Sequence, residues 1–453
     1  MEAGHVLKKW KISPPTCGYE DAEIYLIRYG ESEWIPVWDG PRIAAIIFIN
    51  SPVMFDSIPP KPEHEEQIPA EQTFVLADGV STHVAQSDDG SVTVALSGSP
   101  LVFFERQDRK IRTSLFGVVN DDRAVHAPVL LLKSTASDLP AAVSIEDLWA
   151  ALYALWIRYK DEEVLPFSLD TNSLKNADEI RCYLIHTGLA FEAPESDNKE
   201  DLLLVRASLW QGAGAPLSRH WLRTPVPHPA ISTFPFPFYT SFTRGPNVLT
   251  THPRRPPKPA PGESLYFRYI FSVGETLEFV HIDANNKEHF EAYSRWQNSD
   301  RVNVGWKERG PDEKHRAYLA DRLADPHIMG FVVKWNGQLA GYGEMAWVKE
   351  DPMGTYVGGL GDYDQGTHLL IGEERFRGRH RFTAVMTSMK HMCFLRDPRT
   401  EIVVGEPRAD LPIVPRLKAF LPQEFNREFE FPHKRSVYFV LRRERFFQAA
   451  ILY

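Results

Sequence analysis

At 453 residues, with 43 % apolar and 25 % charged side chains, the chain is longer than one core usually serves, so two domains are expected and global disorder is excluded. Lys and Arg number 51 against 60 Asp and Glu, a formal charge of -9, which argues against a general nucleic-acid binder and requires an anionic ligand to meet a local basic patch. The three cysteines, Cys17, Cys182 and Cys393, are far apart without metal-ligand spacing, so neither a disulfide scaffold nor a metal site is expected.

Met1 to Pro15 is polar and basic, and no segment approaches membrane-spanning length, so the expectation is a soluble, cytoplasmic protein with no membrane partner. The final Ile451, Leu452 and Tyr453 are not a peroxisomal Ser-Lys-Leu type signal, although a peroxisomal location stays open beside the cytoplasmic one. Runs rich in Val, Ile and aromatics at 22–29, 42–49, 73–76, 92–96 and 101–105 alternate with turn residues and predict a mostly antiparallel sheet. A capping-box-like start at Ser144 opens a helix through Trp156, a second runs from Asn176 to near Gly188, and a strand is expected over 202–210.

Closely spaced prolines between Gly212 and Gly262, with Phe234, Phe236, Phe238 and Tyr239 among them, read as a connector that packs along a surface. The domain boundaries that follow are 1–212, 213–263 and 264–453. Beyond the connector come strands at 264–273 and 277–282. A helix capped by Asp283 follows, then another with Pro311 in its first turn that reaches Pro326. Alternating strands on either side of Asn336 and Gly337 predict a hairpin from Gly330 to Trp347. Next are a strand at 367–372, a basic glycine loop, a long apolar helix to about Leu395, a strand at 401–406, a helix at 411–421 and a strand at 428–442. This is the order of a GNAT fold, an α+β class. The order from Ser144 to Trp210 parallels that from Arg381 to Arg442. The first half is thus either a separate mixed α/β domain or a degenerate GNAT-like half that has lost cofactor binding.

A pyrophosphate is held economically where backbone amides converge at a helix N-terminus. Arg375, Gly378 and His380 occupy such a loop, with Gly378 allowing close approach and Arg377, Arg379 and Arg381 adding charge. The competing reading is a solvated basic turn. A histidine on the strand ahead of the loop, His368, is either a catalytic base or a core side chain bonded to backbone.

Several segments together resemble the siderophore-type GNAT acyltransferases. They include Asn303 to Trp306, Leu323 to His327, Gly341 to Asp351, Asp362 to His368, Phe376 to Arg379, Asp397 to Thr400, Glu406 to Arg408 and Phe431 to Arg435. The resemblance spans about 280–447, and the length is most like the fungal N5-hydroxyornithine transacylases. Two departures stand out: His380 where the family has Gly or Ala, and Leu411-Pro412 where it has Asn and a basic residue. The resemblance implies acyl-CoA as co-substrate, with an acetyl or branched acyl group, and no metal in the transfer. It implies catalysis by His368 with Glu406 behind it, and cofactor contacts from Leu370, Arg375, Phe376, Arg377, Gly378, Arg379, His380 and Arg381. Backbone amides near Leu369 and Leu370 would polarise the thioester carbonyl if the strands splay there.

For an acceptor bearing an α-ammonium and an α-carboxylate, the candidates are Glu344, Trp347, Asp351 and Asp364, with Arg301 facing the carboxylate. Trp296 and Trp306 are either pocket walls or packing. His433, Lys434 and Arg435 either approach the ligands or guard an edge strand. The expected reaction is acylation of the N5-hydroxylated nitrogen of hydroxyornithine to a hydroxamate. The alternatives are acylation of N6-hydroxylysine or of a protein or small amine, and a non-catalytic acyl-CoA-binding protein. By family analogy an edge strand pairs in a homodimer, and the first half would cover one side of the acceptor site.

Overall fold

A computed structural model describes residues 69–113, 126–193, 196–224, 238–242 and 249–453, with three strands nearer the N-terminus. The expected strand at 42–49 and the prolines from Pro225 to Pro237 lie outside the described residues. The chain forms two compact units, Met1–Pro60 and Lys61–Tyr453. The first holds an antiparallel sheet of β1 (Leu7–Lys11), β2 (Glu23–Ile27) and β3 (Ile35–Asp39).

The second unit contains two eight-stranded sheets. One comprises β4 (Glu71–Val75), β5 (Ser81–Gln86), β6 (Val92–Leu96), β7 (Ser99–Arg112), β8 (His126–Ser134), β9 (Val164–Leu169), β10 (Ala190–Glu192) and β11 (Leu202–Val205). A ribbon of β12 (Phe238–Phe242) and β13 (Leu249–Pro253) precedes the other. That sheet comprises β14 (Ser264–Ile270), β15 (Glu275–His281), β16 (Ile328–Trp335), β17 (Gln338–Trp347), β18 (Gln365–Ile371), β19 (Ile402–Gly405), β20 (Glu424–Phe431) and β21 (Lys434–Arg442). Their spatial orders, β4-β5-β6-β7-β8-β9-β11-β10 and β14-β15-β16-β17-β18-β19-β21-β20, are the same, and each sheet has its one parallel pairing, β8 with β9 and β18 with β19, at the same place. The first sheet therefore repeats the strand order of the second.

Helices α1 (Ile145–Arg158), α2 (Ala177–His186) and α3 (Arg206–Trp210) accompany the first sheet. With the second are α4 (Lys287–Asn298), α5 (Asp300–Trp306), α6 (Asp312–Ala324), α7 (Pro352–Val357), α8 (Arg379–Arg396), α9 (Val414–Phe420) and α10 (Arg443–Gln448). α1 starts where the Ser144 hydroxyl accepts from the Asp147 amide, and ten of its side chains are buried. One apolar cluster joins both sheets. At its centre Trp210 stacks on Trp221 at 4.9 Å, and the ring of His391, on α8, lies between Tyr266 Oη at 2.9 Å and the Trp210 carbonyl at 2.5 Å.

Four expectations shift. Residues 202–210 are a strand only to Val205 before the chain coils into α3. The helix expected from Leu411 begins at Val414, since two prolines, Pro412 and Pro415, remove amide donors from any earlier turn. Residues 428–442 are two strands, because Pro432 cannot supply a ladder amide and the chain turns there. Asn286, not Asp283, caps α4. The hairpin at Asn336 and Gly337 forms with both residues left-handed, φ 47° and 77°, as a two-residue turn between twisted strands requires. Among the described residues no helix is long and apolar enough to cross a membrane.

Candidate active site

Successive side chains on a strand alternate between the two faces of its sheet. On β18, Gln365 and Thr367 face α8: Gln365 donates to the Cys393 carbonyl at 2.8 Å, and Lys390 Nζ donates to Thr367 Oγ1 at 2.7 Å. His368 and Leu370 face the other way, with Tyr342 and Glu344 of β17, toward α4, α5 and α6.

β18 pairs with β19 only at Gln365 with Val403 and Gly366 with Val404. Beyond Gly366 the strands part. Alternate backbone amides of β18 on that side consequently have no ladder partner from β19, which is the opening needed to receive a carbonyl oxygen.

His368 stands beside this opening. Its Nε2 lies 2.8 Å from Glu406 Oε1, across the gap, and its Nδ1 lies 3.3 Å from Glu344 Oε2 on the neighbouring strand. Lys434, at the start of β21, makes an ion pair with Glu406 and donates to its carbonyl at 3.1 Å. Glu344 is 3 % exposed. It accepts from Tyr318 at 2.7 Å and Tyr342 at 3.0 Å, and Arg322 Nε lies 3.5 Å away. The Trp306 ring meets the imidazole edge-on at 6.2 Å.

The His368 side chain keeps 45 % of its surface accessible but is enclosed by protein elsewhere. That enclosure disfavours the charged ring, yet hydrogen bonds to Glu344 and Glu406 outweigh it and raise the pKa to about 10. Burial likewise pushes the Glu344 carboxyl up, and His368, with Arg322 and Tyr318, pulls it down to about 2. Glu406 moves the same way as Glu344, burial being overcome by His368 and Lys434. A lone imidazole base backed by one carboxylate is the sequence expectation. The structure sets the imidazole between two, and both favour its charged form.

From His368 the strand runs to Ile371 and a short 3-10 turn at Glu374–Phe376, and Gly378 then caps α8. Gly378 has φ 133° and ψ 158°, a region only glycine enters freely, and no side chain caps the helix behind it. Arg375, Arg377, Arg379 and His380 are exposed around this end, though Arg377 also bonds Glu374 at 2.6 Å. The corresponding helix of the first sheet, α1, is closed by its Ser144 cap and carries Glu146 and Asp147 in its first turn, whereas α8 has neither a side-chain cap nor an acidic residue there.

Several sequence candidates lie elsewhere. Arg381 is spent on a bidentate pair with Glu275, at 2.9 and 2.6 Å. Phe376 and the Leu370 side chain are core, leaving only backbone from Leu370 to reach a ligand. Arg301 binds Glu374 and the carbonyls of Ile371 and Gly372, so it shapes the loop and does not face an acceptor carboxylate. Trp296 is buried under Gly372 and donates to Glu373 at 2.9 Å, supporting the loop from below. Trp347 is three residues from Glu344 and thus on the opposite face, where it packs against Arg255 and Arg396. Asp351 caps α7 through the Met353 amide. Asp364 accepts from the Gly361 and Ile402 amides and borders a cavity of about 510 Å³ that His368 does not line. Of the acceptor candidates only Glu344 meets His368. Sequence reasoning passed over Tyr318 and Arg322, whose i, i+4 spacing puts both on one face of α6.

An acetyltransferase (GNAT) domain matches residues 285–431. The chain is 63 % identical over 387 residues to the acyltransferase ato1 of Omphalotus olearius, covering 85 % of this chain and 96 % of that one. It is 56 % identical over 348 residues to the acyltransferase fer5 of Mycosarcoma maydis, covering 76 % and 78 %. It is 36 % identical over 328 residues to the hydroxyornithine transacylase SID3 of Ajellomyces capsulatus, covering 69 % and 74 %.

Proposed function

Because this chain belongs to the GNAT acyltransferase family that includes the hydroxyornithine transacylases, we propose that it transfers an acyl group from acyl-CoA to the N5 nitrogen of N5-hydroxyornithine, releasing a hydroxamate.

The observation that carries this reading is the placement of the His368 imidazole between the carboxylates of Glu344 and Glu406, both of which favour its protonated form. An imidazole with a pKa of about 10 is already protonated at neutral pH and is a poor acceptor for the proton of an alkylammonium. A hydroxylamino nitrogen is much less basic and arrives neutral, so it needs no deprotonation before attack. The charged site therefore favours an N-hydroxylated acceptor over a lysine or simple amine.

In this reading the nitrogen lone pair forms the new C–N bond and the thioester oxygen becomes anionic beside the unpaired amides of β18. As the C–S bond breaks, His368 gives its proton to the departing sulfur, and the proton lost from nitrogen restores the imidazolium between its carboxylates. Arg375, Arg377, Gly378, Arg379 and His380, with the amides of α8, hold the pyrophosphate. Chemistry belongs to 264–453.

A thiol-release assay tests this directly. N5-hydroxyornithine, ornithine and N6-hydroxylysine are each offered with acetyl-CoA and with a branched C5 to C6 acyl-CoA. Release confined to N5-hydroxyornithine is expected, and the responding donor names the acyl group. Release with ornithine at a similar rate would remove the argument from the imidazolium, and N6-hydroxylysine alone would reassign the acceptor.

A further inference from the structure

A second polar cluster lies at the opposite end of β16 and β17 from their hairpin turn. His327 immediately precedes β16, and its carbonyl accepts from the Trp347 amide at 2.8 Å. Glu350 follows β17 in the turn before α7, and His252 comes from β13. All three are buried, at 0 % for His252, 3 % for His327 and 8 % for Glu350. One donor atom from each lies within 4.8 Å of the others.

We propose that His252, His327 and Glu350 form a binding site for one divalent first-row transition-metal cation, with zinc as the natural probe.

The orientation of His327 is the first support. Asp325 Oδ1 accepts from the His327 backbone amide at 2.8 Å and lies 2.9 Å from its Nδ1. A carboxylate on Nδ1 fixes the proton there and leaves Nε2 as a lone-pair donor, the arrangement that metal-bound histidines commonly have. Nε2 is buried and has no partner among the described residues, and the same holds for Glu350 Oε2. Buried acceptors without partners are rare, and a single cation between these two satisfies both.

The donors also select the cation. Glu350 Oε1 is engaged by Arg255 at 2.9 Å and lies 2.8 Å from His252 Nδ1, so Oε2 is the oxygen available to a metal. Arg255 and Lys258 bring positive charge close by. Lys258 Nζ donates to the carbonyls of Arg322 at 2.9 Å and Asp325 at 2.8 Å. In such surroundings a hard cation held by charge alone, such as calcium or magnesium, is disfavoured, whereas two imidazoles and a carboxylate suit zinc. With zinc–ligand bonds of about 2.0–2.1 Å the donors would sit about 3.3 Å apart, so the cluster has to contract modestly on binding. The ion would clamp β13 to the ends of β16 and β17. Burial on all sides denies it contact with substrate, and its role is structural.

The test uses the untagged full chain. Metal content is measured by mass spectrometry as isolated. The protein is then stripped with a chelator, confirmed folded by circular dichroism and titrated with zinc against a chromophoric competitor. One zinc per chain is expected, together with a rise in melting temperature of roughly 4 °C at zinc a hundredfold above its dissociation constant. His327→Gln and His252→Gln should each abolish stoichiometric binding. No stoichiometric zinc uptake by the folded wild-type chain overturns the proposal, and so does binding that survives in both variants. Neither outcome depends on the acceptor or on turnover.

Discussion

Glu344 and Glu406 approach the same imidazole from opposite sides, at 3.3 Å from Nδ1 and 2.8 Å from Nε2 of His368, although one stands on β17 and the other just beyond β19. Glu344 is a cross-strand neighbour of His368 in the unbroken β17–β18 ladder, so that contact is fixed by register. Glu406 reaches His368 only because β19 diverges after Val404, and Lys434 holds it from the far side. The pair thus ties the rigid wall of the opening to its departing one.

If the imidazolium acts as the acid, kcat/KM should hold through neutral pH and fall as pH rises through the His368 pKa of about 10. Glu406→Gln removes one stabilising charge and should move that alkaline limb to lower pH. His368→Ala should lower kcat by about 10²–10³-fold with little change in CoA affinity. A pH–rate series on the three proteins checks this, and a wild-type rate that climbs up to pH 10 would assign His368 the base role instead.

Stability carries the same signature with a definite sign. A histidine whose folded pKa is raised from 6.5 to about 10 stabilises fully below 6.5, and the contribution is lost as pH climbs to about 10. Glu344, lowered from 4.5 to about 2, stabilises fully above 4.5 and loses that contribution as pH falls toward 2. The melting temperature of His368→Gln should therefore decline less between pH 7 and 10 than that of the wild type. Parallel decline in calorimetric scans of the two proteins would separate the imidazole from alkaline stability.

Local signals in the sequence were legible wherever one residue's backbone chemistry decides the structure. Asn336 and Gly337 fixed a hairpin, and Gly378 ahead of a helix marked a loop without a side-chain cap. Face parity was also available but unused. Glu344 and Trp347 are three apart on one strand and cannot line one pocket, which removes Trp347 as an acceptor wall. What sequence could not give was contact across the fold. The Arg381 pair with Glu275, the Trp296 support of Gly372 and the His252, His327 and Glu350 cluster each join segments whose adjacency arises only when strands pair. The repeated sheet was legible in part: the element order from Ser144 to Trp210 parallels that from Arg381 to Arg442, but the helix-cap chemistry differs between the halves, which left a separate domain as the alternative.

Gly378→Ala isolates the backbone at the loop. A Cβ there would meet nothing within 4 Å, so no clash is involved, but φ 133° is strained for alanine by about 1–3 kcal/mol. The relaxed loop should turn amides away from the pyrophosphate and weaken CoA binding by roughly tenfold, with melting behaviour nearly intact. Calorimetric titration with CoA alongside a melting curve reads both quantities, and unchanged affinity would make the loop a solvated turn.

The two arginines in the first turn of α8, Arg379 and Arg381, should divide between cofactor and fold. Arg379 is exposed at the first helical position, so Arg379→Ala should raise the KM for acyl-CoA and flatten its dependence on salt, since one screened charge is gone. Arg381 already has both arms on Glu275, which ties α8 to β15. Arg381→Ala should therefore cost about 0.5–1 kcal/mol of stability while leaving the acyl-CoA KM close to wild type. The distinction is sharpest in Glu275→Gln, which releases the Arg381 guanidinium near the loop. If the arginine is only structural, that variant repeats the stability loss of Arg381→Ala. If it can swing to the phosphates, CoA binds more tightly even as the melting temperature falls, and titration of the Glu275→Gln protein with CoA at two salt concentrations tells the two apart.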